Sequence, residues 1–198
     1  MNRSMPPRFP ISLVAPLLPI GSAERSADGQ ARLHEEVAGA FDLFREPLLR
    51  YLGTFGLEIS DSEEVLQDVF LAQFRHRARG RRIDNIRAWL FRVAHNLALR
   101  RRDRTRRNAE TQLEAAGDDR TVDPAPGPED RVVNLQNRRR VLAVVDALPE
   151  QDRRCLFLRA EGLRYREIAG IVDMSLGAVS VSIARSLARI ARSEERRG

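Results

Sequence analysis

Apolar residues recur through most of this chain at three- and four-residue spacing, and no segment shows the two-residue alternation of a half-buried strand. Val37, Phe41, Phe44, Leu48, Leu49 and Leu52 form one stripe that stops near Gly53. Val65, Leu66, Val69, Phe70 and Phe74 form a second behind Asp61-Ser62-Glu63-Glu64, whose hydroxyl and carboxylates suit a helix N-terminus and its dipole. Ile86, Leu90, Val93 and Leu97 give a third, opened by Asp84-Asn85 and running out into Arg100-Arg101-Arg102. Farther on, the spacing predicts a helix from Val132 to Leu148 stopped by Pro149, and another from Gln151 to Glu161 with Gly162 as its C-terminal cap. Tyr165, Ile168, Ala169 and Val172 then mark a short helix, which Asp173-Met174-Ser175 interrupts. Ser175 is placed as N-cap for a longer one carrying Leu176, Val179, Ile183, Leu187 and Ile190. The fold class is therefore all-α.

The last two helices, joined by a three-residue turn, have the form of a helix-turn-helix that lays its second helix in the DNA major groove. Ser182, Arg185, Arg189 and Arg192 lie on the expected exposed stripe, and are donors suited to phosphates and base edges. A plain helical hairpin in a bundle would carry the same apolar spacing.

Charge divides the 198 residues more sharply than hydropathy does. All 34 basic residues are arginine. Residues 35–74 hold nine acids and two arginines, residues 75–107 thirteen arginines and two acids, and residues 108–130 seven acids and one arginine. The last of these stretches, with Ala116-Gly117-Asp118-Asp119 and Asp123-Pro124-Ala125-Pro126-Gly127-Pro128, reads as a flexible acidic tether. The expected organisation is thus two small helical domains, 35–107 and 131–198, joined by the linker 108–130 and preceded by a disordered extension, 1–34. Within that extension Phe9 to Ile20 faintly resembles a secretory signal, but Pro10, Pro16 and Pro19 run through it. Alternating charge points to separate surfaces with separate partners.

Other chemistry is sparse. Cys155 is the only cysteine and sits in an apolar run, which fits a small core residue in a reducing compartment. His34, His76 and His95 have no metal-ligand spacing, and there is no glycine-rich phosphate loop or nucleophile–base–acid grouping. The expectation is a cytoplasmic protein with no catalytic residue, metal, cofactor, small-molecule substrate or membrane span.

Three blocks together resemble the extracytoplasmic-function (ECF) class of bacterial RNA polymerase sigma factors. They are Asp61 to Leu71 (DSEEVLQDVFL), Asn85 to Leu99 (NIRAWLFRVAHNLAL), and the stretch from Leu148-Pro149-Glu150 through Gly162-Leu163-Arg164-Tyr165-Arg166-Glu167-Ile168-Ala169 to Gly177-Ala178-Val179. The resemblance implies core RNA polymerase and promoter DNA as partners. It leaves an anti-sigma factor open as a third, since many relatives are held that way. It implies polymerase binding by Asp61, Glu64, Gln67 and Asp68, which share one helical face. It assigns the minus-10 region and its melting to Arg75, Arg77, Arg79, Arg81 and Arg82 in the loop, with Arg87, Trp89, Arg92, His95, Asn96 and Arg100 on the helix that follows. Melting needs basic groups for the displaced strand and a pocket or platform for an extruded base. Trp89 has two readings, core anchor or stacking surface, and its spacing with Ile86, Leu90 and Val93 favours the core. The minus-35 region would fall to Ser180, Val181, Ser182, Arg185, Arg189 and Arg192.

Two departures stand out. Ala178 replaces the family's usual small hydroxyl residue, with Ser180, Val181 and Ser182 where basic residues are common, so the gripping charge lies about one turn later. Arg100 stands where relatives often have an acid. A rival reading is a stand-alone helix-turn-helix regulator, which residues 130–198 would suit but which leaves the 61–71 and 85–107 blocks unexplained.

Overall fold

The computed structural model describes residues 27–112 and 141–195, and all of the regular structure in them is helical. The helices are α1 (Ala27–Gly53), α2 (Ile59–Ala78), α3 (Ile86–Gln112), α4 (described over 141–146), α5 (Glu150–Ala160), α6 (Tyr165–Val172) and α7 (Leu176–Glu195). Residues 1–26 and 113–140, which hold most of the expected extension and linker, lie outside the described residues.

α1, α2 and α3 pack on one another. α1 buries Leu33, Ala40, Phe44, Leu48, Tyr51 and Leu52, and α2 buries Val65, Leu66, Val69 and Phe70. Pro47, inside α1, cannot donate to the Leu43 carbonyl, yet the helix continues because Leu48, Tyr51 and Leu52 are held by packing on its far side. The α1 start corrects the expected boundary at residue 34. Its first turns are polar and periodically silent, but Leu33 is buried and His34 packs on Phe74 of α2, with ring centroids 5.2 Å apart. The α2 start is also earlier than Asp61. The helix begins at Ile59, and Glu58 occupies the N-cap without a side-chain bond. α3 overruns its expected end at residue 107, reaching Gln112.

Asn85 caps α3 as expected, its Oδ1 accepting from the Ala88 N–H at 3.1 Å. The buried face of α3 is rotated from the expected stripe. Leu90, Phe91, Ala94 and Ala98 are fully enclosed, whereas Ile86, Val93 and Leu97 are only half-buried.

The second group, α5 to α7, forms around Cys155, Leu158, Leu163, Ile168, Ile171, Val172, Val179 and Ile183. α5 ends in a Schellman turn: Gly162 at φ +83° donates to the Arg159 carbonyl, and Leu163 donates to that of Leu158. Asp173, left-handed at φ 54°, ends α6, and Ser175 Oγ accepts from the Ala178 N–H at 3.1 Å to open α7. Leu187, expected in the core, is 53% exposed; Ser182 and Ser186 take the buried positions on α7 instead. The helix ahead of Pro149 ends at residue 146, two residues before the expected Leu148.

The two groups also meet. α3 lies on α6 and α1 on α5, with Tyr51 and Phe157 ring centroids 5.6 Å apart and the Arg154 guanidinium 4.0 Å over the Phe55 ring. Behind this seam the Tyr51 Oη and His95 Nδ1 are 2.8 Å apart, both buried. Burial, then the charges of Arg154 and Arg102, push the His95 pKa down to about 4. A depressed histidine binds its proton more readily when unfolded. Its contribution is therefore complete above pH 6.5 and is lost as pH falls toward 4, up to about 3 kcal/mol. Urea denaturation between pH 7.5 and 5 should show this fall in midpoint, flattened in His95→Asn.

Candidate nucleic-acid interface

On α2, Glu64, Gln67 and Asp68 are exposed and Asp61 is half-buried, and Asp61 and Glu64 lie on the side toward α3. There Arg101 bridges them, Nη2 to Asp61 Oδ1 at 2.6 Å and Nη1 to Glu64 Oε2 at 2.8 Å. The Arg101 hydrogen bond, helped by its charge and by Thr105, holds the Asp61 carboxyl below its ordinary value despite desolvation. The acidic face is therefore half engaged with the chain's own arginine. Spacing placed the four residues together but gave no sign of Arg101, one of three consecutive arginines whose directions only packing decides.

α2 ends in a second Schellman turn at Gly80, φ +74°, with Gly80 N–H donating to the Arg77 carbonyl at 2.8 Å. The turn leaves Arg79, Arg81 and Arg82 exposed on the loop, next to exposed Arg75. Arg77 is used differently: it pairs with Glu36 of α1 at 2.7 Å and donates to the Arg81 carbonyl, bracing the loop. Trp89 is half-buried beneath it, packed on the core and on His76 with ring centroids 5.3 Å apart.

Along α3 the groups expected to face DNA divide. His95, 6% exposed and bonded to Tyr51, is a core group, which corrects its placement on the DNA-facing surface. A polar residue on a buried helical face looks like a surface residue until its partner, 44 positions away, is known. Arg87 reaches α5, donating from Nη1 to the Glu161 carbonyl, with the Glu161 carboxylate 3.9 Å away. Arg92 lies against α6, where a Cβ at Gly170 would come within 3.0 Å of its Nη2. Asn96 is half-buried and Arg100 exposed. Asn85 donates from Nδ2 to Glu167 Oε1 of α6 at 2.7 Å, and Arg102 pairs with Glu150 of α5 at 2.7 Å. Glu150 also holds Arg154, the buried cation beneath the seam, at 2.7 Å.

On α7, Ser180, Val181, Arg189 and Arg192 are exposed. Ser182 is not: at 1% exposure it donates to Asp152 Oδ1 of α5 at 2.8 Å, a correction to its place among base-reading groups. Arg185 is bound to the same carboxylate through Nε at 2.9 Å and Nη2 at 2.7 Å. Burial opposes ionisation of Asp152, but the Arg185 and Ser182 hydrogen bonds outweigh it and keep the carboxyl below its ordinary range. Asp152, 30 positions before Ser182, is thus the residue that fixes the rotation of α7, and nothing in the local pattern announces it.

The acidic α2 face, the arginine-lined loop and the capped second helix of a helix-turn-helix lie on the segments that known families match. The family model for Sigma-70 region 2 matches residues 41–108, and that for Sigma-70, region 4 matches residues 138–190. The RNA polymerase sigma factor CnrH of Cupriavidus metallidurans is 31% identical over 145 residues, covering 69% of this chain and 75% of CnrH. This chain belongs to the sigma-70 family, ECF class. The ECF sigma factor SigE of Mycolicibacterium smegmatis is 31% identical over 128 residues, which is 63% of this chain and 48% of SigE. The probable sigma factor RfaY of Xanthomonas campestris is 27% identical over 138 residues, 67% of this chain and 34% of RfaY. The sigma-family chain thus spans about a third and about a half of the length of these last two relatives. A solved structure of the sigma factor RpoE from Bartonella quintana, in complex with the anti-sigma factor NepR, shares the fold. It has a TM-score of 0.61 and 15% identity, and covers 81% of this chain and 98% of that one. No single helix among the described residues is long and apolar enough to cross a membrane, and none of their side chains group as a metal site.

Replacing Asp152 by Asn should cost about 1–3 kcal/mol in urea denaturation, since it removes the negative charge beside Arg185 and one of two acceptor oxygens, setting an amide NH2 against a guanidinium donor. In the parent the Asp152 contribution persists at neutral pH and disappears as pH falls through its lowered pKa. The variant should lack that acid-side loss.

Proposed function

We propose that this chain is a dissociable promoter-specificity subunit that brings bacterial core RNA polymerase to its promoters and assists strand opening, without catalysing a reaction itself. The observation that carries this reading is the order of the two sigma regions on one chain, with exposed charge of the required sign on each. Gln67, Asp68 and Glu64, all exposed on α2, would meet basic residues of the polymerase, so its work would lie in the cytoplasm. Arg75, Arg79, Arg81 and Arg82 would hold the minus-10 strand by phosphate contacts, over the Trp89–His76 pair. α7 would lie in the major groove at minus-35, with Arg189 and Arg192 on phosphates.

Geometry adds a condition. Two elements about 25 base pairs apart are separated by roughly 85 Å at 3.4 Å per base pair. In the described arrangement α3 and α6 touch, and Arg87, Arg92 and Arg102 are turned toward the C-terminal helices. Engaging both elements requires the two groups to part, exchanging Glu150 and Glu161 for phosphates. An anti-sigma partner that preferred the closed form would oppose this by differential affinity alone.

Size exclusion of the chain with bacterial core polymerase should show co-elution, and Asp68→Arg with Glu64→Arg should weaken it at least tenfold while the fold survives. Unchanged affinity in the double variant would remove the α2 face from the polymerase contact. Failure of the parent to bind core, with dimeric binding to duplex DNA alone, would favour a stand-alone regulator. Fluorophores on cysteines introduced at exposed Ile59 and Leu187 should move apart when core polymerase is added. An unchanged separation would contradict opening.

A further inference from the structure

The first half of α7 carries a surface that hydrogen bonding cannot explain. Across residues 176–185, Val179 and Ile183 are core, and Ser182 is buried against Asp152. Arg185 has its Nε and Nη2 fixed on the same carboxylate, which turns the half-exposed guanidinium sideways toward α5. The side chains left facing outward belong to Leu176 at 49% exposure, Ser180, Val181 at 61% and Ala184. Gly177 adds no side chain, although a Cβ there would meet nothing within 4 Å, so the fold itself does not demand glycine. Ser180 is the one polar side chain in the set, and Arg185, the one arginine across 176–185, has Nε and Nη2 committed to Asp152 and so cannot present its fork to the two acceptors of a guanine edge. What remains is a low, apolar ridge with Val181 as its projecting group, flanked by Arg185 and, one turn on, Arg189. In a major groove the matching chemical feature is the C5-methyl of thymine.

We propose that α7 selects its upstream element by apolar contact of Val181, with Ala184 beside it, against thymine methyl groups, while Arg185, positioned by Asp152, serves phosphate rather than bases. This rests on the sigma-factor reading above and goes further by naming the feature read and the residues that read it. Ser180 is left to bond one adjacent base edge of either polarity. The small side chains at 177 and 184 let the helix sit deep enough for a branched but short residue to reach.

The test uses holoenzyme assembled from the full chain and core polymerase. The probe is a fork DNA with a pre-opened downstream segment and a twelve-base-pair randomised duplex upstream. Upstream sequences enriched by binding are resynthesised with deoxyuridine in place of thymine, and separately with 7-deazaguanine in place of guanine. The expected result is enrichment of A·T pairs, a loss of affinity of about fourfold for each contacted methyl removed, and no effect of 7-deazaguanine. Val181→Ala should bind the thymine probe more weakly and lose most of its sensitivity to deoxyuridine. Val181→Thr, which keeps a methyl, should restore part of that sensitivity. Binding indifferent to deoxyuridine but reduced by 7-deazaguanine would overturn the proposal and leave the sigma-factor reading standing. Absence of any upstream enrichment would also overturn it, leaving the α7 ridge to a protein partner. Failure to form holoenzyme at all would instead defeat the underlying reading.

Discussion

Tyr51 has no exposed surface, and its ring is packed by Phe55, Phe91, His95 and Phe157. Three of these come from its own helical group and the fourth from α5, so one side chain joins the α1–α3 core to the C-terminal helices. Burial raises the Tyr51 pKa and lowers that of His95, which keeps both neutral and lets them share a hydrogen bond in apolar surroundings. Arg154 closes the same seam from the other side, stacked on Phe55 and tied to Glu150. The polar links elsewhere between the two groups are mostly exposed hydrogen bonds and ion pairs, which contribute little.

The arginines divide by what already holds them. Arg77, Arg101, Arg102 and Arg185 are engaged with Glu36, the Asp61–Glu64 pair, Glu150 and Asp152. They order loops and helix faces. Arg79, Arg81, Arg82 and Arg189 are exposed. The positive stretch of the sequence thus serves internal construction as well as leaving exposed charge, and composition alone cannot apportion the two.

Helix order, the helix-turn-helix turn, the Ser175 and Asn85 caps and the Gly162 turn were all legible in the chain, because apolar period and cap chemistry are local. Errors came where a polar residue faces inward. His95 and Ser182 sit on buried faces only because Tyr51 and Asp152, far away in sequence, satisfy them. Leu187 shows the opposite case, an apolar residue in register with the core stripe that remains outside it. On α2 the acids were legible as a face, whereas their restraint by Arg101 was not. The contact between α3 and α6 had no local signal at all.

Asn85 and Glu167 join the two groups by a single bond, and each keeps its other end at home. Asn85 Oδ1 holds the first turn of α3, while its amide donates to Glu167 Oε1. Glu167 Oε2 holds the Arg164 N–H at the start of α6, 2.7 Å away. When that joint parts, both caps stay made and only one donor and one acceptor need water, which an exposed site supplies at once. The helices on either side therefore have no reason to fray. At this point of the junction the helix ends are finished pieces, so the cost of opening falls on the apolar packing of Tyr51 against Phe157 and not on the caps.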